Sequence, residues 1–157
     1  MANFNGKFDS VKQDWTTPKS LFDKLNKEFN FEYDLAATKE NALCSKFYTK
    51  EDDGLKQKWN SVCYLNPPYG DKTSKMSDWI KKAYKDSKEN PNLTVVMLIP
   101  ARTNNKYFHD FCMKASEVRF ILGRPKFGNA PHGLPQPLAL IVFKQCLETK
   151  FSTFTLN

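Results

Sequence analysis

The sequence predicts an α/β fold, a largely parallel sheet with helices on both faces. Three observations carry this. Residues 62–65 form a compact apolar run that passes directly into Asn66-Pro67-Pro68-Tyr69. Residues 93–99 are apolar enough for a central strand buried on both faces. Between them Met76, Trp79, Ile80, Ala83 and Tyr84 recur at helical spacing. Strand, helix and strand in that order imply a crossover connection, so ligands belong beyond the carboxyl ends of the strands.

Taken in order, residues 1–14 are polar, without sustained periodicity, and read as a loose arm; residues 15–157 read as one domain. Thr17 and Pro18 predict a helix start, a capping hydroxyl followed by a preset φ, and Leu21, Phe22, Leu25 and Phe29 give the helix its apolar face. Phe31, Tyr33 and Leu35 alternate with Glu32 and Asp34, a strand carrying a carboxylate close to its carboxyl end. A short apolar piece at Phe47 and Tyr48 precedes the acidic turn Glu51-Asp52-Asp53-Gly54. The prolines after Leu65 must end the strand over residues 62–65. Thr73 or Ser74 opens the next helix, and Pro100 stops the central strand. Thr103 is expected to cap a helix bearing Tyr107, Phe108, Phe111 and Cys112. Strands follow at residues 118–122 and 138–143, then an alternating segment at 151–156, with a Gly/Pro-rich basic loop at 123–137. The carboxyl-end rule puts Asp34, Asn66 and Pro100 at one edge of the sheet.

Composition bounds the function. The chain has 157 residues, 40% of them hydrophobic, enough for a substantial core. Its 24 Lys and Arg against 17 Asp and Glu give a formal charge of +7, a sign that suits a polyanion but that a lysine-rich solvated surface also produces. Cys44, Cys63, Cys112 and Cys146 lie far apart with no zinc-type spacing, so no metal site is expected. Residues 1–10 lack a signal-peptide core, and no apolar run approaches the roughly 20 residues of a membrane helix. A reducing, cytoplasmic setting with free thiols is the expectation.

Asn66-Pro67-Pro68-Tyr69 is the most specific feature, because each residue type answers a need of chemistry at a planar amino group. An adenine amino nitrogen shares its lone pair with the ring and is a poor nucleophile until acceptors hold its N–H groups and turn the lone pair out of plane. The Asn66 side-chain oxygen and the Pro67 carbonyl supply two such acceptors, and the consecutive prolines fix their geometry. Acceptors aimed at a nitrogen that gains positive charge help most in the transition state. Tyr69 offers a face on which an extruded base can stack. The bland reading of the same residues is a strand-ending turn.

With these residues in place, the chain resembles the compact phage-type DNA N6-adenine methyltransferases over nearly its whole length, from Trp15 to Phe143. The segments that carry the resemblance are Asp14-Trp15-Thr16-Thr17-Pro18, Asp34-Leu35-Ala36-Ala37, Glu51-Asp52-Asp53-Gly54-Leu55 with Trp59, and Asn66-Pro67-Pro68-Tyr69-Gly70. Pro100-Ala101-Arg102-Thr103 with Phe108-His109, and Arg119-Phe120 through Gly123-Arg124-Pro125-Lys126-Phe127-Gly128, complete the set. The resemblance implies a Rossmann-like methyltransferase fold, S-adenosyl-L-methionine as cofactor, DNA as partner, and no membrane or obligate protein partner. It implies catalytic roles for Asn66, Pro67, Pro68 and Tyr69. Thr16, Thr17 and Pro18 would meet the methionine end of the cofactor, Asp34 its ammonium group or the loop around it, and Asp53 its adenine amino group. Ala36 and Asn66 would line the same pocket, and Trp15 would either cover the sulfonium or join the core. Ala36-Ala37-Thr38 stands where larger methyltransferases carry a Gly-rich turn, and the spacing to Asp53 leaves little room for a full second strand and helix; no residue is assigned to the ribose.

No separate recognition domain fits after Tyr69. DNA contacts are therefore expected from the loop over residues 123–137, with Arg124, Lys126, Asn129 and His132, and from Arg102; a solvated connection is the alternative. His109, Trp59 and Trp79 read as packing or surface residues rather than catalytic ones. Asn-Pro-Pro-Tyr suits any planar amino group, so methylation of RNA adenine or of a glutamine amide remains an alternative. A catalytically silent nucleic-acid-binding module is another; the intact motif argues against it.

Overall fold

The computed structural model describes residues 16–68, 75–128, 131–133 and 135–156. Trp15, Tyr69, Thr73, Ser74, Asn129 and the arm over residues 1–14 lie outside the described residues. The elements, in order, are α1 (Lys19–Phe29), β1 (Tyr33–Asp34), β2 (Lys46–Phe47), β3 (Val62–Leu65), α2 (Met76–Glu89), β4 (Thr94–Pro100), α3 (Lys106–Asp110), β5 (Glu117–Ile121), β6 (Leu138–Phe143) and β7 (Lys150–Phe154).

The seven strands form one sheet in the order β2-β1-β3-β4-β6-β5-β7. Pairing is parallel for β1 with β2, β1 with β3, β3 with β4 and β5 with β7; β6 alone runs against its neighbours β4 and β5. The expected largely parallel sheet is present. From β1 the chain goes outward to β2 and then crosses back to β3 on the other side, so the carboxyl ends of β1 and β3 flank the point where the strand order reverses.

Burial on both faces explains the layers. In β4, Val95, Met97 and Ile99 pack with Trp79, Ile80 and Ala83 of α2 and Phe108 of α3, whereas Val96 and Leu98 pack with Leu21, Phe22 and Leu25 of α1. β6 divides the same way, Ala139 and Ile141 to the first side, Leu140 and Val142 to the second. Trp59 and Trp79 are core residues, their rings stacked at 6.0 Å. Arg119 of β5 ties α1 to the sheet with a two-pronged bond to Glu28 at 2.8 and 2.6 Å, and it also meets Glu117 at 2.8 Å. Among the described residues no helix is long and apolar enough to cross a membrane.

Several local expectations shift. The strand expected over residues 31–36 narrows to two residues, after which the Leu35 N–H still bonds the Tyr64 carbonyl and the Ala37 N–H bonds that of Tyr48. Between β1 and β3 there is only the two-residue β2 and a short 3-10 turn at Gly54–Lys56, as the tight spacing required. Pro18 occupies the N-cap of α1 and the Thr17 hydroxyl caps nothing, being engaged by Tyr64 and Asn66. Asn105, not Thr103, is the N-cap of α3; Thr103 contributes its carbonyl to the His109 ring instead, at 2.6 Å, and Phe111 and Cys112 fall beyond the helix. Pro100 is the last residue of β4 and pairs with Leu138.

Gly54 is fixed by space rather than by φ. A Cβ there would stand 2.5 Å from the Leu35 carbonyl oxygen and 2.9 Å from the Trp79 ring. Gly54→Ala is expected to lower unfolding free energy by about 1 to 3 kcal/mol, the usual cost of overpacking. Urea denaturation checks this; a midpoint equal to wild type would show that the 54–56 turn is not docked on β1.

Candidate active site

Three segments meet at the carboxyl ends of β1 and β3. Asp34 ends β1, Asn66 follows β3, and Thr16 to Pro18 lead into α1. The Thr17 hydroxyl lies 2.8 Å from the Tyr64 phenol oxygen, and the Asn66 amide nitrogen donates to it at 3.2 Å. Thr17 is only 4% exposed, so both contacts form in a water-poor setting where hydrogen bonds are stronger. The Asn66 amide is thereby oriented, nitrogen toward Thr17. Pro67 is buried and Pro68 half-buried directly after it, holding the loop against the sheet edge. Pro18 leaves the first-turn N–H groups of α1 without a side-chain cap, which gives this end of the helix an electropositive character.

Asp34 is 3% exposed. Its carboxylate accepts from the backbone N–H of Leu43 at 3.2 Å and of Ala36 at 3.4 Å, so it holds the loop that leaves β1. Burial pushes its carboxyl up to about 6, outweighing the two backbone donors that favour the charged form. The neighbouring Cys44 thiol is pushed up to about 12, by burial first and then by the Asp34 charge.

Asp53 is brought to the same end of β1 because Gly54 packs on the Leu35 carbonyl and its own carbonyl oxygen accepts from the Trp59 indole N–H at 2.8 Å. Its backbone is left-handed, φ 53°, a conformation Asp tolerates better than most residues, and its carboxylate meets Lys56 at 3.1 Å. Thr16, Thr17, Pro18, Asp34, Ala36, Asp53 and Asn66 thus gather at one edge. Ala36 is half-buried and donates to Asp34.

The basic residues follow from the direction of β6. Because β5 runs toward this edge and β6 returns from it, the connection over residues 123–137 must cross the edge. Pro125 and Phe127 are buried, while Arg124 before them and Lys126 between them are exposed, so both cations project outward from an extended segment. Phe127 joins the core on the α1 side, and the next residue, Gly128 (φ 52°), donates its N–H to the Thr16 carbonyl at 3.1 Å. Arg102, also exposed, follows β4, whose exit is tied to the start of β6 by the Ala101 N–H to Pro137 carbonyl bond at 2.8 Å. His132 is exposed, and His109 is an exposed residue closing its own turn.

Sequence reading missed Tyr64, Phe127 and the Leu43 N–H. A tyrosine in a strand buried at three of its four positions does signal that its hydroxyl needs a partner, but nothing in the order of residues identifies Thr17 as that partner.

The Asp34 environment sets a pH dependence. Its folded value lies above its ordinary value of 3.8, so between about pH 4 and 6 the folded state holds a proton that the unfolded state has released. Stability from this group is therefore greatest below pH 4 and is lost as pH rises toward 6, by about 3 kcal/mol for a displacement of this size. Asp34→Asn should lose that fall. Urea unfolding from pH 4 to 7 checks it, and parallel curves for the two proteins would contradict the buried carboxyl.

A family model described as DNA N-6-adenine-methyltransferase (Dam) matches residues 6–155. A DNA N-6-adenine-methyltransferase of Escherichia phage T1 is 33% identical over 116 residues, 72% of this chain and 46% of the phage protein. YfdM of Escherichia coli strain K12, a candidate methyltransferase, is 34% identical over 67 residues, 38% of this chain and 74% of that protein. The match spans about half the length of the phage relative. With a family model matched almost from end to end, the chain belongs to the DNA N-6-adenine-methyltransferase (Dam) family.

Proposed function

We propose that this protein transfers a methyl group from S-adenosyl-L-methionine to the N6 amino group of adenine in DNA, in the cytoplasm of the host cell. The observation that carries the reading is the Asn66 amide at the strand-order reversal, its nitrogen turned to Thr17. Family membership and a phage relative named for this activity support it.

The residues at the edge fit the cofactor by their chemistry. An electropositive helix end after Thr16, Thr17 and Pro18 suits a carboxylate, and Asp34 and Asp53 suit its amino groups. Ala36 and Asn66 complete the lining. When bound, the cofactor supplies an electrophilic methyl group. The Asn66 side-chain oxygen and the Pro67 carbonyl accept the two N–H groups of the target and turn its lone pair out of the ring plane. Pro67 and Pro68 keep those acceptors from relaxing, and Tyr69 provides the face on which the extruded base stacks. The product proton leaves an acidic ammonium, so no strong base is required. Arg124, Lys126 and Arg102 meet phosphates beside the same edge.

Asn66→Ala should lower methyl transfer a hundredfold or more, about 3 to 4 kcal/mol, with cofactor affinity kept within a few-fold. A tritiated-cofactor assay on duplex DNA, RNA and protein, paired with calorimetry, tests this. Transfer to RNA or protein alone would replace the DNA reading, and near-wild-type activity in the variant would remove Asn66 from the chemistry.

Lys126→Ala should weaken binding to all DNA sequences alike and reduce the slope of log affinity against log salt by about one unit. An unchanged slope would take Lys126 out of the interface.

A further inference from the structure

Tyr64 is fully buried, and the fold gives its hydroxyl an address. Residues 64 and 66 follow the two-residue alternation of β3, so both side chains lie toward α1, where Thr17 precedes the helix. The Tyr64 ring is clamped edge-on between Phe22, at 5.3 Å and 82°, and Phe31, at 5.4 Å and 60°. That clamp fixes the phenol oxygen 2.8 Å from Thr17 Oγ1, which in turn lies 3.2 Å from Asn66 Nδ2.

We infer that Tyr64 is a positioning residue for methyl transfer, acting on Asn66 through the Thr17 hydroxyl. The inference rests on the proposed adenine methylation. A hydroxyl has one hydrogen and two acceptor sites, so its effect on a neighbouring amide depends on where its hydrogen goes. With the Thr17 hydrogen directed to the Tyr64 oxygen, Thr17 Oγ1 is an acceptor toward Asn66. The amide then presents nitrogen to Thr17 and turns its oxygen toward the target amino group. If Thr17 gave its hydrogen to Asn66 instead, the amide would rotate and offer the target N–H groups where acceptors are needed. A Tyr64 oxygen that accepts the Thr17 hydrogen selects the first arrangement, and it does so from within the core. Its anchoring in the aromatic cluster makes the decision rigid, because the ring has no room to swing away.

The arrangement also joins two functions. Thr17 belongs to the segment proposed for the cofactor, Asn66 to the loop proposed for the target base, and Tyr64 holds the shared hydroxyl from beneath. Alignment of donor and acceptor is thus set inside the core before either partner arrives.

Tyr64→Phe removes one oxygen and keeps the ring in its clamp. Single-turnover methyl transfer should fall about tenfold while affinities for cofactor and DNA stay within about twofold. Thr17→Ser, which keeps the hydroxyl, should retain most of the rate. In an Asn66→Ala background Tyr64→Phe should have no further effect on residual transfer, since the group it positions is gone. A readout independent of activity is the Asn66 side-chain amide in nitrogen-15 NMR spectra, whose two N–H signals should move in Tyr64→Phe. Unmoved signals with an unchanged rate overturn the inference, as does an equal loss in the Asn66→Ala background, which would mark a general packing defect. If the amide signals move while wild type methylates no adenine, the hydrogen-bond chain stands and the proposed activity falls.

Discussion

Everything at the site depends on a central pair of strands that must be covered on both faces. β4 is buried at six of its seven positions and β6 at all six. A sheet centre of this kind cannot face water on either side, so helices have to be delivered to both, and parallel crossovers are the connection that delivers them. Each crossover leaves from the same edge of the sheet. The turns that face ligands are therefore gathered at one edge as a consequence of burying the middle, and Asn66, Asp34 and the 123–137 connection share that edge because of it.

At that edge the energetic pattern is one of polar groups kept dry. Asp34 and Thr17 are charged or polar side chains with almost no exposure, and each is compensated by partners within the protein. A buried carboxylate held by backbone N–H groups costs more than an exposed one, as the raised Asp34 value reflects. What the protein gains is a loop after β1 that cannot drift, in a place where a Gly-rich turn would otherwise have to be held by its ligand.

The parts of this arrangement that were legible in the sequence are those governed by local pattern. The run at residues 62–65 coincides with β3, and that at 138–143 with β6, because a strand buried on both faces is written as an uninterrupted apolar segment. Asn66 was identifiable because an amide and two prolines directly after such a segment together supply fixed acceptors for a planar amino group, although a strand-ending turn uses the same residues. That Thr17 and Thr103 cap neither helix was not legible, since a residue that can cap can equally bond elsewhere, and for Thr17 a partner 47 residues away decides the matter. Phe127 was hidden for a related reason: an aromatic in a basic, proline-rich stretch carries no periodicity to announce that it enters the core.

Phe127 and Gly128 anchor the leading half of the β5–β6 connection. Up to Gly128 the chain is locked in phase, with alternate residues inserted into the core and the last one bonded to Thr16. Adding or deleting one residue there would turn Arg124 and Lys126 inward and pull Pro125 and Phe127 out. Of the described residues that follow, Gly133 packs on the Arg124 backbone and Pro137 meets Ala101. A change of length in the leading half is therefore costly, because it also disturbs the segment before α1 to which that half is fastened.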